Sequence, residues 1–294
     1  MQAGEVVDYV PLSLRDKADV CPTCKGAGAL SRNLPVDHPD YGRAVRCPDC
    51  QGAGNPEEAR NRAIRRQREI DKLFSDVGIK VSERHQHFTW THFEKDHLGE
   101  LIEGKQIAIS LARRWATGER IDYRGYGDPF LFTMPTTFEF SPSNSLVVQG
   151  ITGTGKTSLA YVAFRDRLER GEVCLLVEFY ALIDAIQSQY GKPDSKASDL
   201  VKTAAMVPVL VLDDLGNGGL YKPEKDDRQD KLWQILNMRY LAKRSTLITT
   251  NLDRKHMCDQ FGQKIARRLD EMAVWTTMGG EDLCQFNHGN YGEA

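Results

Sequence analysis

Short apolar runs and longer amphipathic segments alternate along the second half of the chain. The runs SLVVQG, VCLLVEF, VPVLVLDDLG, TLITTN and the stretch near AVWTTM have the length of buried strands. Between them, KTSLAYVAFRDRLERG, DKLWQILNMRYLAKR and GQKIARRLDEMA read as helices. Such alternation predicts an α/β fold, a parallel sheet flanked by helices, with its ligand site beyond the carboxyl ends of the strands. In the first half the pattern yields one strong helix, GNPEEARNRAIRRQREIDKLFSDVGI. Pro56, Glu57 and Glu58 suit its first turn, while Ala63, Ile64, Leu73 and Phe74 supply a sparse apolar stripe. Its arginines are partly balanced by acidic residues, which favours a solvated connector over a nucleic-acid helix. The expected organisation is a small module over 1–54, a helical linker over 55–84 and an α/β domain over 85–294.

Charge narrows the function classes. Charged residues are 27% of the 294 and the formal net charge is -2, so any nucleic-acid binding must use a local patch. The longest apolar run, around VPVLVL, is too short to span a bilayer, and MQAGEVVDYV lacks the basic and apolar regions of a signal peptide. A cytoplasmic protein with no membrane partner is predicted. Seven cysteines, an odd number, argue against a disulfide framework in that compartment.

Four of those cysteines form two near copies, CPTCKGAG and CPDCQGAG. Cys21, Cys24, Cys47 and Cys50 give C-x2-C-x22-C-x2-C, and four thiolates can close a tetrahedral structural zinc site with no open position. Each half is similar to the Cys-x-x-Cys-x-Gly-x-Gly unit of the DnaJ-type zinc module, which carries four units where this chain has two. His38 in the intervening loop reads as solvated rather than as a ligand. A dithiol redox switch is the alternative reading.

GITGTGKTS carries the main chemistry. Gly150, Gly153, Thr154, Gly155, Lys156, Thr157 and Ser158 follow a predicted strand and open a predicted helix, as the G-x-x-x-x-G-K-[ST] phosphate loop requires. Its backbone N–H groups can wrap the phosphates of ATP, Lys156 can reach the β and γ phosphates, and the Thr157 hydroxyl can bind magnesium. At the end of VPVLVLDD, Asp213 is placed to hold magnesium and Asp214 to orient or deprotonate the attacking water. Asn251, ending the next strand, can position that water or sense the γ phosphate.

Together GTGKTSLA, VLVLDDLG, ILNMRYLAKRSTLITTNL and IARRLDEM resemble the DnaC/IstB branch of the AAA+ ATPases, over roughly residues 85–285. The resemblance implies an AAA+ P-loop ATPase fold behind the small zinc-binding domain. It also implies a homo-oligomer through the ATP site, in which Arg268, with Arg267 as the lesser candidate, reaches the neighbouring subunit's nucleotide and makes hydrolysis depend on assembly. MGGEDLCQF has Cys284 and Gln285 where many relatives carry an arginine, so no second, cis-acting arginine is assigned.

Two further stretches were weighed for DNA contact. Tyr123, Tyr126 and Phe130 read as packing a surface loop or covering the adenine pocket rather than stacking bases. Tyr221, Lys222 and Lys225 are available to face a central channel. The family holds replicative helicase loaders and transposition helpers. A cysteine-rich front module resembles the helicase-docking domain of DnaI-type loaders, so the expected partners are a hexameric replicative helicase and single-stranded DNA. An IstB-like helper acting on duplex DNA and a nucleotide-switched adaptor are the alternatives.

Overall fold

The structure is a computed structural model and describes residues 21, 23–24, 29–31, 44–47, 56–80, 85–93, 105–121, 144–216 and 227–279. Cys50, His38, Tyr123, Tyr126, Phe130, Tyr221, Lys222, Lys225, Cys284 and Gln285 lie outside the described residues. The chain divides into two compact units, Met1–Arg68 and Glu69–Ala294.

In the first unit, β1 (Ala29–Ser31) pairs antiparallel with β2 (Ala44–Arg46), with Ala29 opposite Arg46. The helix α1 (Pro56–Asp76) follows, and the division between the units falls inside it. Its last turns belong to the second unit, where Ile70 and Phe74 are buried in a core cluster. Ile64 of the sequence-predicted stripe is instead 41% exposed.

The second unit adds a 3-10 turn (Trp90–Phe93) and α2 (Gln106–Thr117), then β3 (Ser145–Gln149), α3 (Lys156–Glu169), β4 (Cys174–Glu178) and α4 (Phe179–Ser188). After these come α5 (Ala197–Met206), β5 (Val209–Leu215), α6 (Asp227–Leu241), β6 (Ser245–Thr250), α7 (Arg254–Phe261), α8 (Gln263–Met272) and β7 (Val274–Thr277). Five strands form one sheet in the order β4-β5-β6-β3-β7, parallel at every pairing.

Both faces of this sheet are covered, because alternate residues of each strand feed different clusters. Val147, Leu210, Leu212 and Ile248 belong to one apolar cluster, while Leu146, Val148, Val211 and Leu247 belong to the other. Each large aliphatic side chain buried this way contributes about 1.5–3 kcal/mol. The strand order puts β6 between β3 and β5, so the ends of the three strands that carry the motifs are adjacent. No helix among the described residues is long and apolar enough to cross a membrane.

Candidate active site

The loop after β3 is built around close backbone approaches. Gly150 donates its N–H to the Thr250 carbonyl at 3.1 Å, tying the loop to the end of β6. A Cβ at Gly150 would lie 2.5 Å from the Met278 carbonyl oxygen, so no larger residue fits without moving the backbone. Gly155 caps α3 with φ 92°, a left-handed conformation that glycine adopts without strain. Thr154 is fully buried and its hydroxyl donates to the Ile151 carbonyl at 3.0 Å. Lys156 reaches the same carbonyl at 2.7 Å. Burial holds the Lys156 ammonium below its ordinary pKa, and Asp214 and Asp213 oppose that shift.

Across from the loop, β5 breaks its ladder where the aspartates sit. Leu212 pairs with Ile248, but the next paired position is Leu215 with Thr250, so the strand is bulged over Asp213 and Asp214. Asp214 has φ 57°, a conformation that side-chain-bearing residues rarely hold. The Asp213 carboxylate accepts from the Thr157 hydroxyl at 3.1 Å and the Thr249 hydroxyl at 2.5 Å, both on Oδ1. Among the described residues nothing donates to Oδ2. Desolvation raises the Asp213 pKa, with the Thr249 and Thr157 hydrogen bonds and then Lys156 pulling it back and Asp214 raising it further.

Thr157, Asp213 and Asp214 line a cavity of about 710 Å³ whose walls also include Lys80, His85, Tyr161, Glu178 and Asp184. Glu178 was not singled out from the sequence. It stands opposite Asp213 in the β4–β5 register, and its pKa is raised by desolvation, then by Asp214, Asp213 and Asp184. Ser158 was read with the nucleotide-binding residues; its hydroxyl lies 3.0 Å from His85 Nδ1. Asn251 directly follows β6.

Arg268 lies on α8, with its guanidinium 4.0 Å from the Tyr240 ring centre and 5.2 Å from that of Trp233, both on α6. Its NH1 donates to Glu271 at 2.6 Å, and its side chain is 18% exposed against 85% for Arg267. The loop and aspartates therefore converge at the ends of adjacent strands, while Arg268 stands on a helix, folded over two rings.

In the first unit Cys21, Cys24 and Cys47 are buried, and their sulfur atoms lie within 4.8 Å of one another. Cys47 directly follows β2, which pairs with the strand that comes after Cys21 and Cys24. Cys21 Sγ and Cys47 Sγ are 3.7 Å apart, close to the spacing of about 3.8 Å that Zn–S bonds of about 2.3 Å imply for a tetrahedron. Hydrogen bonds, first from the Cys24 backbone and then from the Thr23 backbone and the Cys24 and Cys47 side chains, lower the Cys21 thiol pKa to about 6 against the opposing effect of burial.

The comparisons with known proteins agree with this geometry. The family model described as IstB-like ATP binding protein matches residues 119–269. The Replicative helicase loader DnaC of Escherichia coli (strain K12) is 24% identical over 212 residues, 72% of this chain and 72% of that protein. A crystal structure of the DnaC helicase loader superposes with a TM-score of 0.50 at 20% identity, covering 67% of this chain and 100% of that chain. A crystal structure of DnaI has a TM-score of 0.50 at 20% identity, covering 69% of this chain and 94% of that one. A parallel sheet with a phosphate loop after β3 and paired aspartates on β5, matched by that model across its length from β3 to α8, places the chain in the IstB-like ATP-binding family, the DnaC/IstB branch of the AAA+ ATPases.

Proposed function

We propose that this chain is an ATP-dependent loader that delivers a hexameric replicative helicase onto single-stranded DNA. The observation that carries the reading is the presence, in one chain, of a cavity lined by Thr157, Asp213 and Asp214 and a buried sulfur cluster ahead of it. The relatives named replicative helicase loaders support it.

In this reading the N–H groups of the loop from Gly150 to Ser158, Gly153, Thr154 and Gly155 among them, hold the phosphates of ATP, and Lys156 exchanges the Ile151 carbonyl for a phosphate oxygen. Thr157 gives its proton to Asp213 and keeps its lone pairs for a cation, and Asp213 Oδ2 faces the same place; this donor set fits magnesium. Magnesium bound there would neutralise charge on the β and γ oxygens. Asp214 orients or deprotonates the attacking water, Asn251 holds that water, and Arg268 acts across a homo-oligomeric interface after leaving Tyr240. Cys21, Cys24, Cys47 and Cys50 form the zinc set of a docking module. Zinc there would fold the module around itself.

The test uses the full chain. Purified protein should carry one zinc, and Cys47→Ser should lose most of the metal and helicase binding while titrating ATP normally, since the ATPase unit has its own core. Full helicase binding by Cys47→Ser, or a zinc-free protein with a reversible disulfide, would leave the redox reading in place. The IstB-like family match favours a second reading, a transposition helper that recruits a transposase. Tight duplex DNA binding with or without nucleotide would select it.

A further inference from the structure

We propose that Thr249 is the positioning residue that sets both aspartates for ATP hydrolysis. The proposal rests on the assignment of Asp213 to magnesium and Asp214 to the attacking water.

Neighbouring residues on a regular strand face opposite sides of the sheet, so Asp213 and Asp214 could not both serve one site without a local break. The bulge between Leu212 and Leu215 supplies that break, and Asp214 turns through φ 57°. A side-chain-bearing residue keeps such a conformation only where its surroundings dictate it. Here the Thr249 hydroxyl takes part. Thr249 Oγ1 accepts the Asp214 backbone N–H at 2.8 Å and donates its own proton to Asp213 Oδ1 at 2.5 Å. The next residue holds the other side of the break, with Thr250 Oγ1 donating to the Leu215 carbonyl at 2.6 Å.

Three features point to function beyond filling the strand. Thr249 is 1% exposed, so water does not replace its hydroxyl. A hydroxyl accepts and donates through a single oxygen, which valine, nearly the same shape, cannot do. Together with Thr157, Thr249 also occupies Oδ1 of the cavity-lining Asp213 carboxylate and leaves Oδ2 without a hydrogen bond among the described residues. The same hydroxyl thus couples the cation ligand to the residue that handles water, through a strand that neither the phosphate-loop motif nor the aspartate motif includes.

The experiment compares Thr249→Val, Thr249→Ser and Asp214→Asn in the full chain, at a protein concentration where ATP turnover has reached its plateau. Thr249→Val should bind nucleotide within about twofold of the parent, need more magnesium for half-maximal turnover, and lose about 10- to 100-fold in kcat with KM for ATP nearly unchanged, the cost of a misplaced catalytic group. Thr249→Ser should restore most of kcat and the magnesium requirement. A merely structural role would move the melting temperature without this kcat-against-KM split or the rescue. Parental turnover by Thr249→Val, or equal loss in the valine and serine proteins, overturns the proposal. Full turnover by Asp214→Asn would overturn the aspartate assignment beneath it instead.

Discussion

At the amino-terminal ends of β5 and β6, Arg239 is completely buried and spends all three guanidinium nitrogens on the protein. Nε donates to the Thr246 hydroxyl, NH1 to the Ala204 and Val207 carbonyls, and NH2 to those of Pro208 and Ser245. At the carboxyl end of the sheet, Asp213 on β5 and Lys156 at the start of α3 are buried almost as well, yet each keeps hydrogen-bonding capacity in reserve. Asp213 retains Oδ2, and among the described residues Lys156 meets one acceptor, a loop carbonyl, with three N–H bonds to give. A buried ion whose contacts are complete works as scaffold, because nothing remains to bind a ligand. One whose contacts are incomplete costs stability until a ligand arrives, and so marks a site.

The largest expected effects separate binding from chemistry at the carboxyl end. Asp214→Asn should cost about 10²- to 10⁴-fold in hydrolysis with ATP affinity kept, because Asp213, the proposed magnesium ligand, is untouched. Lys156→Ala should weaken ATP binding by about a hundredfold, the value of charge-assisted contacts to phosphate, with little change in melting temperature. Fluorescent-nucleotide titration and phosphate release distinguish the two. Unchanged ATP affinity in Lys156→Ala would sink the phosphate-loop assignment.

Arg239→Ala should show the opposite profile. Four carbonyl oxygens would lose a donor inside the protein, and the expected loss is about 3–5 kcal/mol in denaturant unfolding. The folded fraction should bind ATP with parental affinity, since the guanidinium lies at the other end of the strands. A stable variant with weakened ATP binding would erase the contrast between the two ends.

The α/β architecture and the phosphate loop were legible because their signals are local: an apolar strand, then glycines, lysine and threonine in consecutive positions. The α4 helix was not, since β4 ends at Glu178 and α4 begins at Phe179, with no turn residue to mark the change of period. The helix over 55–84 reads from sequence as a linker with a sparse stripe; Leu73 and Phe74 of that stripe do meet the core, but so does Ile70, which the stripe left out, and Ile64, which it included, does not. In the site, Asp213 and Asp214 were visible as a motif. The bulge that lets them share a cavity, and the Thr249 hydroxyl that holds it, depend on strand pairing and left no mark beyond two threonines before Asn251. Glu178 escaped notice for the same reason, since only the register with β5 brings it opposite Asp213.

The smallest expected effect tests whether the carboxyl end is electrostatically strained before ligand arrives. Desolvation, and then Asp214, Asp213 and Asp184, raise the Glu178 pKa in the folded chain, while the unfolded chain keeps the ordinary value of about 4.3. An acid whose folded pKa is raised binds its proton more tightly when folded, so its ionisation costs stability. That cost is absent below the unfolded pKa, grows as pH rises through the interval between the two values, and is complete above the folded one. Glu178→Gln removes the charge without changing the shape. It should therefore raise the melting temperature at pH 7 by no more than about 2 °C and leave it unchanged near pH 4. Magnesium bound to the same carboxylates would bring positive charge, so the gain at pH 7 should shrink when magnesium is added without nucleotide. A gain that persisted at pH 4, or that grew with magnesium, would mean that Glu178 is strained by packing and that charge at this end of the sheet is already balanced.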